Sequence, residues 1–104
     1  MAGTPISITL YGEENEILST HTRMFVPWKL LKAAVRLSKE LDANDMSEAD
    51  VDALAGLVVE AFGNKFSVDD LNEHADVSDM VVVLQAIVSK ASNGLGNFTR
   101  PGKG

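Results

Sequence analysis

His21 and His74 are the only side chains in this 104-residue sequence whose ordinary titration falls near neutral pH. They stand far apart, and neither has the ligand or triad spacing that metal binding or proton transfer requires, so both are read as surface or packing histidines. Cysteine is absent, which removes a thiol nucleophile, a thiolate zinc site and a disulfide framework together. Two acidic clusters, one of Asp42, Asp45, Glu48, Asp50 and Asp52 and one of Asp69, Asp70, Glu73 and Asp76, offer oxygen ligands to a hard cation. They lack the alternating ligands, central glycine and terminal glutamate of an EF-hand loop, and helix capping with solvation accounts for them more simply. Gly94-Leu95-Gly96 is too short for a phosphate loop and follows no strand. No catalytic residue, metal or cofactor is assigned, and the chain is read as non-enzymatic.

Residues suited to binding are easier to find. The net charge of −6 repels phosphate backbones, so nucleic acid is not expected as a partner. From Arg23 to Lys39 there are five basic residues and no acidic one, whereas Glu40 to Asp79 holds twelve acidic residues against Lys65. Lys29, Lys32, Arg36 and Lys39 recur at helical spacing and form a basic seam. Such a seam either pairs with acidic neighbours or orients self-association, basic seam of one copy against acidic middle of another. Phe25 and Trp28 suit a core or an interface anchor by residue type, and core is the default because a small domain with six aromatics can spare few of them. Val81, Val82 and Val83 are surplus to one helical stripe, so they are either enclosed by neighbouring helices or offered to an apolar segment of a partner.

These residues need elements to hold them. Ile6, Ile8 and Leu10 alternate with Ser7, Thr9 and Tyr11, the period of a half-buried strand. Turn residues Gly12 to Asn15 and the strand-forming Glu16 to Arg23 complete a hairpin, which is marginal in water without a helical layer behind it. A first helix is expected from Pro27 to about Leu41, with Phe25 stapled onto Leu30 and an apolar stripe of Leu30, Ala34, Leu37 and Leu41. Three further helices share a serine cap flanked by apolar residues: Met46 and Val51 about Ser47, Phe66 and Leu71 about Ser67, Val77 and Val82 about Ser78. Asp50 and Asp70 complete capping boxes, and Gly63 or Asn64 supplies the left-handed end of the second helix, whose stripe is Val51, Leu54, Ala55, Val58, Ala61 and Phe62. The third helix spans about Val68 to Asp76. The fourth spans about Asp79 to Ala91, with a core face of Met80, Leu84, Ile87, Val88 and Ala91.

The expected architecture is α+β: an N-terminal β-hairpin packed against a small bundle of about four helices, as a single domain over residues 1–91 with a flexible tail over residues 92–104. A hydrophobic content of 45% and a charged content of 23% suit a packed domain, and a chain of this length buries roughly 60–70% of its unfolded surface. No apolar run approaches the roughly 18 residues of a membrane span. The Met1 to Pro5 start lacks the basic and apolar regions of a signal peptide, so no membrane partner is expected and the cytoplasm is the expected compartment.

The Ile6 to Tyr11 strand with its acidic turn, the Phe25-Val26-Pro27-Trp28-Lys29-Leu30-Leu31 segment, the acidic linker and the run from Phe62-Gly63-Asn64-Lys65-Phe66-Ser67 to Leu71 resemble the tail assembly chaperones of siphophages infecting Gram-positive hosts. The resemblance covers about residues 6 to 91. It implies a non-enzymatic protein of the host cytoplasm that coats the aggregation-prone tape measure protein before the tail tube polymerises, and that is absent from the finished virion. It also implies contacts between chaperone copies. In many such phages a frameshift near the end of the short reading frame yields a longer form that recruits tail tube protein; Gly102-Lys103 is one place for it, and a plain tail is the other reading. The candidate partner-binding residues are Phe25, Trp28, Val81, Val82 and Val83, and those for self-association Lys29, Lys32, Arg36 and Lys39. A structural adaptor of the tail or head–tail junction, retained in the virion, is the alternative.

Overall fold

The computed structural model describes residues 5–99, with side chains as far as residue 91. Residues 1–4 and 100–104, and with them the Gly102-Lys103 pair, lie outside the described residues. Strand β1 (Ile6–Tyr11) pairs antiparallel with β2 (Ile17–Arg23), the hairpin expected from the alternation. Asn15 takes a left-handed φ of +68° in the turn, a conformation its short polar side chain tolerates. In this register Ile6, Ile8 and Leu10 stand opposite Arg23, His21 and Ser19 on the inner face. On the outer face Ser7 lies beside Thr22 and Thr9 beside Thr20, with hydroxyl oxygens 3.4 Å apart in each pair. The three β1 apolar residues are buried, so the hairpin gains its stability from the helices it covers.

The linker after β2 departs from expectation. Pro27 is extended, with φ −58° and ψ 137°, and precedes a 3₁₀ turn at Trp28–Leu30 before α1 (Leu31–Asp42) begins. Phe25 is not stapled onto Leu30: it is exposed while Leu30 is buried. The Arg23 guanidinium lies 4.2 Å from the Phe25 ring centroid, and this cation–π contact takes the place of the staple. Ala34 and Leu37 carry the buried face of α1, with Leu41 partly buried beside them.

Helix α2 (Glu48–Ala61) and helix α3 (Val68–His74) both start on reciprocal capping boxes, Ser47 with Asp50 and Ser67 with Asp70. Of the expected α2 stripe only Val51 is exposed, and Leu57 and Val59 are buried as well, so α2 is enclosed on more sides than a surface helix. Gly63 and Asn64 end it with φ of +76° and +60°. Helix α4 (Val77–Thr99) starts one residue before Ser78. Asp76 takes the capping role expected of Ser78: its carboxylate accepts the Ser78 backbone N–H at 2.9 Å as well as the Ser78 hydroxyl. The backbone stays helical to Thr99, beyond the end expected at Ala91. Extending a formed helix adds a hydrogen bond for each residue fixed, without a new nucleation cost.

The core lies where α4 packs against α1, α2 and β1. Val83, Leu84 and Ile87 form its α4 face, and Met80 and Val88 pack at its margins. This corrects the reading of Val83 as a partner-binding residue, because it is 1% exposed. It stands four residues before Ile87, hence on the same row, and the packing of α4 turns that row inward.

Candidate functional site

The segment joining β2 to α1 is held at its β2 end by two cations. Arg23 Nη1 donates to the carbonyl oxygens of Ala61 at 2.9 Å and Glu60 at 3.3 Å, satisfying the unpaired end of α2. Lys90 Nζ donates to the Met24 carbonyl oxygen at 3.2 Å, tying the same segment to α4. Beside this segment lies a groove of about 300 Å³ lined by Val26, Pro27, Trp28, Leu31, Ile87, Lys90 and Ala91. Apart from Lys90, every lining side chain is apolar. Trp28 is 79% exposed at its edge, and Met24 and Phe25 are exposed in the adjoining linker. An uncovered tryptophan beside an apolar hollow has the chemistry of a docking site.

Trp28 lines the groove, whereas Phe25 is exposed in the linker against Arg23 and is not among the lining residues. Val82 is exposed and Val81 half-buried, and neither lines the groove. Val82, Ala86 and Lys90 are spaced by four along one row of α4, so Val82 leads towards the opening. Sequence reasoning missed Val26, Pro27, Leu31, Ile87, Lys90 and Ala91 as groove residues. The available signal was Pro27, which biases the residue before it to extended backbone and so argues against a helix reaching back to the linker.

The basic seam divides. Arg36 is bound internally, its Nη1 2.9 Å from Asp50 Oδ1 and 3.2 Å from Glu40 Oε1, and so joins α1 to the cap of α2. Lys29 reaches Glu60 at 3.7 Å in an exposed pair. Lys32 and Lys39 are exposed and make no ion pair among the described residues. A hydrogen bond with the Glu40 carboxyl, the Ser47 backbone N–H and then Arg36 hold the Asp50 carboxyl down at about 2. The same hydrogen bond, with desolvation, pushes Glu40 up.

Both histidines have structural partners. His74 Nδ1–H donates to the Tyr11 carbonyl oxygen at 2.8 Å, joining α3 to the end of β1. His21 lies in a polar hollow of about 520 Å³ with Thr20, Thr22, Arg23 and Lys65, its Nε2 3.1 Å from Ser19 Oγ and its ring edge-on to Phe66 at 4.8 Å. No group of His, Cys, Asp or Glu side chains among the described residues is placed to hold a metal ion. No helix there is long and apolar enough to cross a membrane.

The family model for phage tail chaperone protein matches residues 1–100. The chain belongs to the phage tail chaperone family. Neither the curated proteins nor the solved structures gave a match. In this tail chaperone the apolar groove is set into the α1 and α4 surfaces of the bundle, with the linker as one wall. Lys90 ties the linker wall to the α4 wall through the Met24 carbonyl oxygen, and Arg23 anchors the neighbouring residue to the end of α2.

Proposed function

We propose that this tail chaperone binds the tape measure protein of its phage through the groove beside Trp28, and keeps that client soluble until the tail tube forms. The observation that carries the reading is the exposed Trp28 at the mouth of an apolar groove, a surface that a soluble chain keeps uncovered at some risk of aggregation. Capture is non-covalent and reversible: apolar side chains of a client helix enter between the linker and α4, while the acidic exterior keeps the complex dispersed. The action is non-enzymatic and takes place in the host cytoplasm. Self-association through Lys29, Lys32 and Lys39 is compatible with many copies coating one client, and Arg36 contributes indirectly by holding α1 against α2.

The test is co-expression of the tape measure protein with wild-type chain, with Trp28→Glu and with Val51→Glu, a change at an exposed apolar residue that does not line the groove. Wild type and Val51→Glu should keep the tape measure protein soluble and co-purify with it, whereas Trp28→Glu should lower the soluble fraction several-fold. Equal solubility with and without the chaperone would sink the proposal.

A further inference from the structure

We infer that the groove selects an amphipathic α-helix whose apolar stripe is edged by glutamate or aspartate. The inference rests on the groove being the client site, and adds which helices that site accepts. The shape argues for a helix, because the hollow runs between the 3₁₀ turn and first residue of α1, with Trp28 and Leu31, and one side of α4, with Ile87, Lys90 and Ala91, while the Val26-Pro27 linker closes it. A hollow between such surfaces takes a third helix by fitting its side-chain ridges into their grooves, and the small Ala91 allows close approach.

The edges argue for acid. No acidic residue occurs from Arg23 to Lys39, and from Met80 to Ala91 the only charged residue is Lys90, so both walls are free of negative charge in a chain of net charge −6. Lys29 follows Trp28 and Lys32 follows Leu31, which places two cations next to wall residues. The charge of the whole body opposes an acidic partner at long range, but beyond about 10 Å this is screened at ordinary ionic strength, and contact is decided by the nearest cations: Lys90 in the lining, and Lys29 and Lys32 beside lining residues in the sequence, Lys29 also reaching Glu60 at 3.7 Å.

Trp28 is the only tryptophan in the chain and is 79% exposed, so its emission reports occupancy of the groove. The full-length protein is titrated with three tryptophan-free helical peptides that share one leucine stripe and carry glutamate, glutamine or lysine along its edges. The glutamate peptide should shift Trp28 emission to the blue and bind about tenfold more tightly than the glutamine peptide in 50 mM salt, with most of that advantage lost in 500 mM salt. The double variant Lys29→Glu with Lys32→Glu should reverse the order in favour of the lysine peptide. Equal binding of all three with a blue shift would overturn acid selection while leaving apolar capture intact. No shift with any peptide would overturn the groove as a helix site, and the proposed client site with it. Emission that is already blue in the isolated protein and moves red on dilution would place a second copy in the groove and overturn the inference.

Discussion

Asp50 carries two duties at once: it closes the capping box of α2 and it accepts from Arg36 of α1, with the Glu40 carboxyl close enough to couple to it. Its folded value of about 2 lies below the ordinary 3.8, so between those values the unfolded chain binds the proton more readily than the folded one. The stability it contributes is therefore complete above pH 3.8 and is lost as pH falls through about 2. Asp70 and Asp76 are lowered in the same direction, by backbone and hydroxyl donors of Ser67 and Ser78, whereas Glu40 is raised and contributes with the opposite sign. Circular dichroism melts from pH 6 to pH 2 should show a shallower acid loss of melting temperature in Asp50→Asn than in wild type. Equal slopes would mean that Asp50 is not held ionised by this network. The capping role of Asp50 was legible from its position three residues after Ser47. The Arg36 contact was not, because it joins residues fourteen apart whose meeting depends on how α1 turns back onto α2.

Elements differ in how much of their packing the pattern reveals. Helix α2 was readable from both ends, since its cap, its stripe and its Gly63-Asn64 terminus are all local signals. Helix α4 has valine, leucine or isoleucine at Val81, Val82, Val83, Leu84, Ile87 and Val88, and such a helix has no single periodicity from which to choose its inward face. Packing chose Val83 and left Val82 56% exposed. The adjacent pair gives a sharp comparison. Val83→Asp buries an unpaired carboxylate and should cost at least about 3 kcal/mol, seen as a large fall in urea midpoint. Val82→Asp should stay within about 0.5 kcal/mol of wild type. Similar losses for both would contradict the observed orientation of α4.

At the scale of the molecule, an acidic domain with a groove free of negative charge is suited to holding an apolar client without precipitating with it. Release belongs to that role as much as capture: a chaperone that leaves before the particle is finished contributes no subunit to it. Mass spectrometry of purified virions should accordingly find tape measure and tail tube peptides and none from this chain. Recovery in fixed proportion to tail proteins would instead support a structural adaptor.

The sequence alone determined the hairpin, the capped helix starts of α2 and α3 and the α+β class, because each is set by neighbours within a few residues: alternation, turn chemistry, serine paired with aspartate. It also pointed to the family through the aromatic segment at residues 25–28 and the run from residue 62 to residue 71. The groove was decided by tertiary structure. Trp28 and Leu31 meet Ile87 and Ala91 only after the chain has closed on itself, and Arg23 reaches the end of α2 from 38 residues away. Residue type marks an apolar side chain as able to serve a core or a partner; which it does depends on whether another element arrives to cover it.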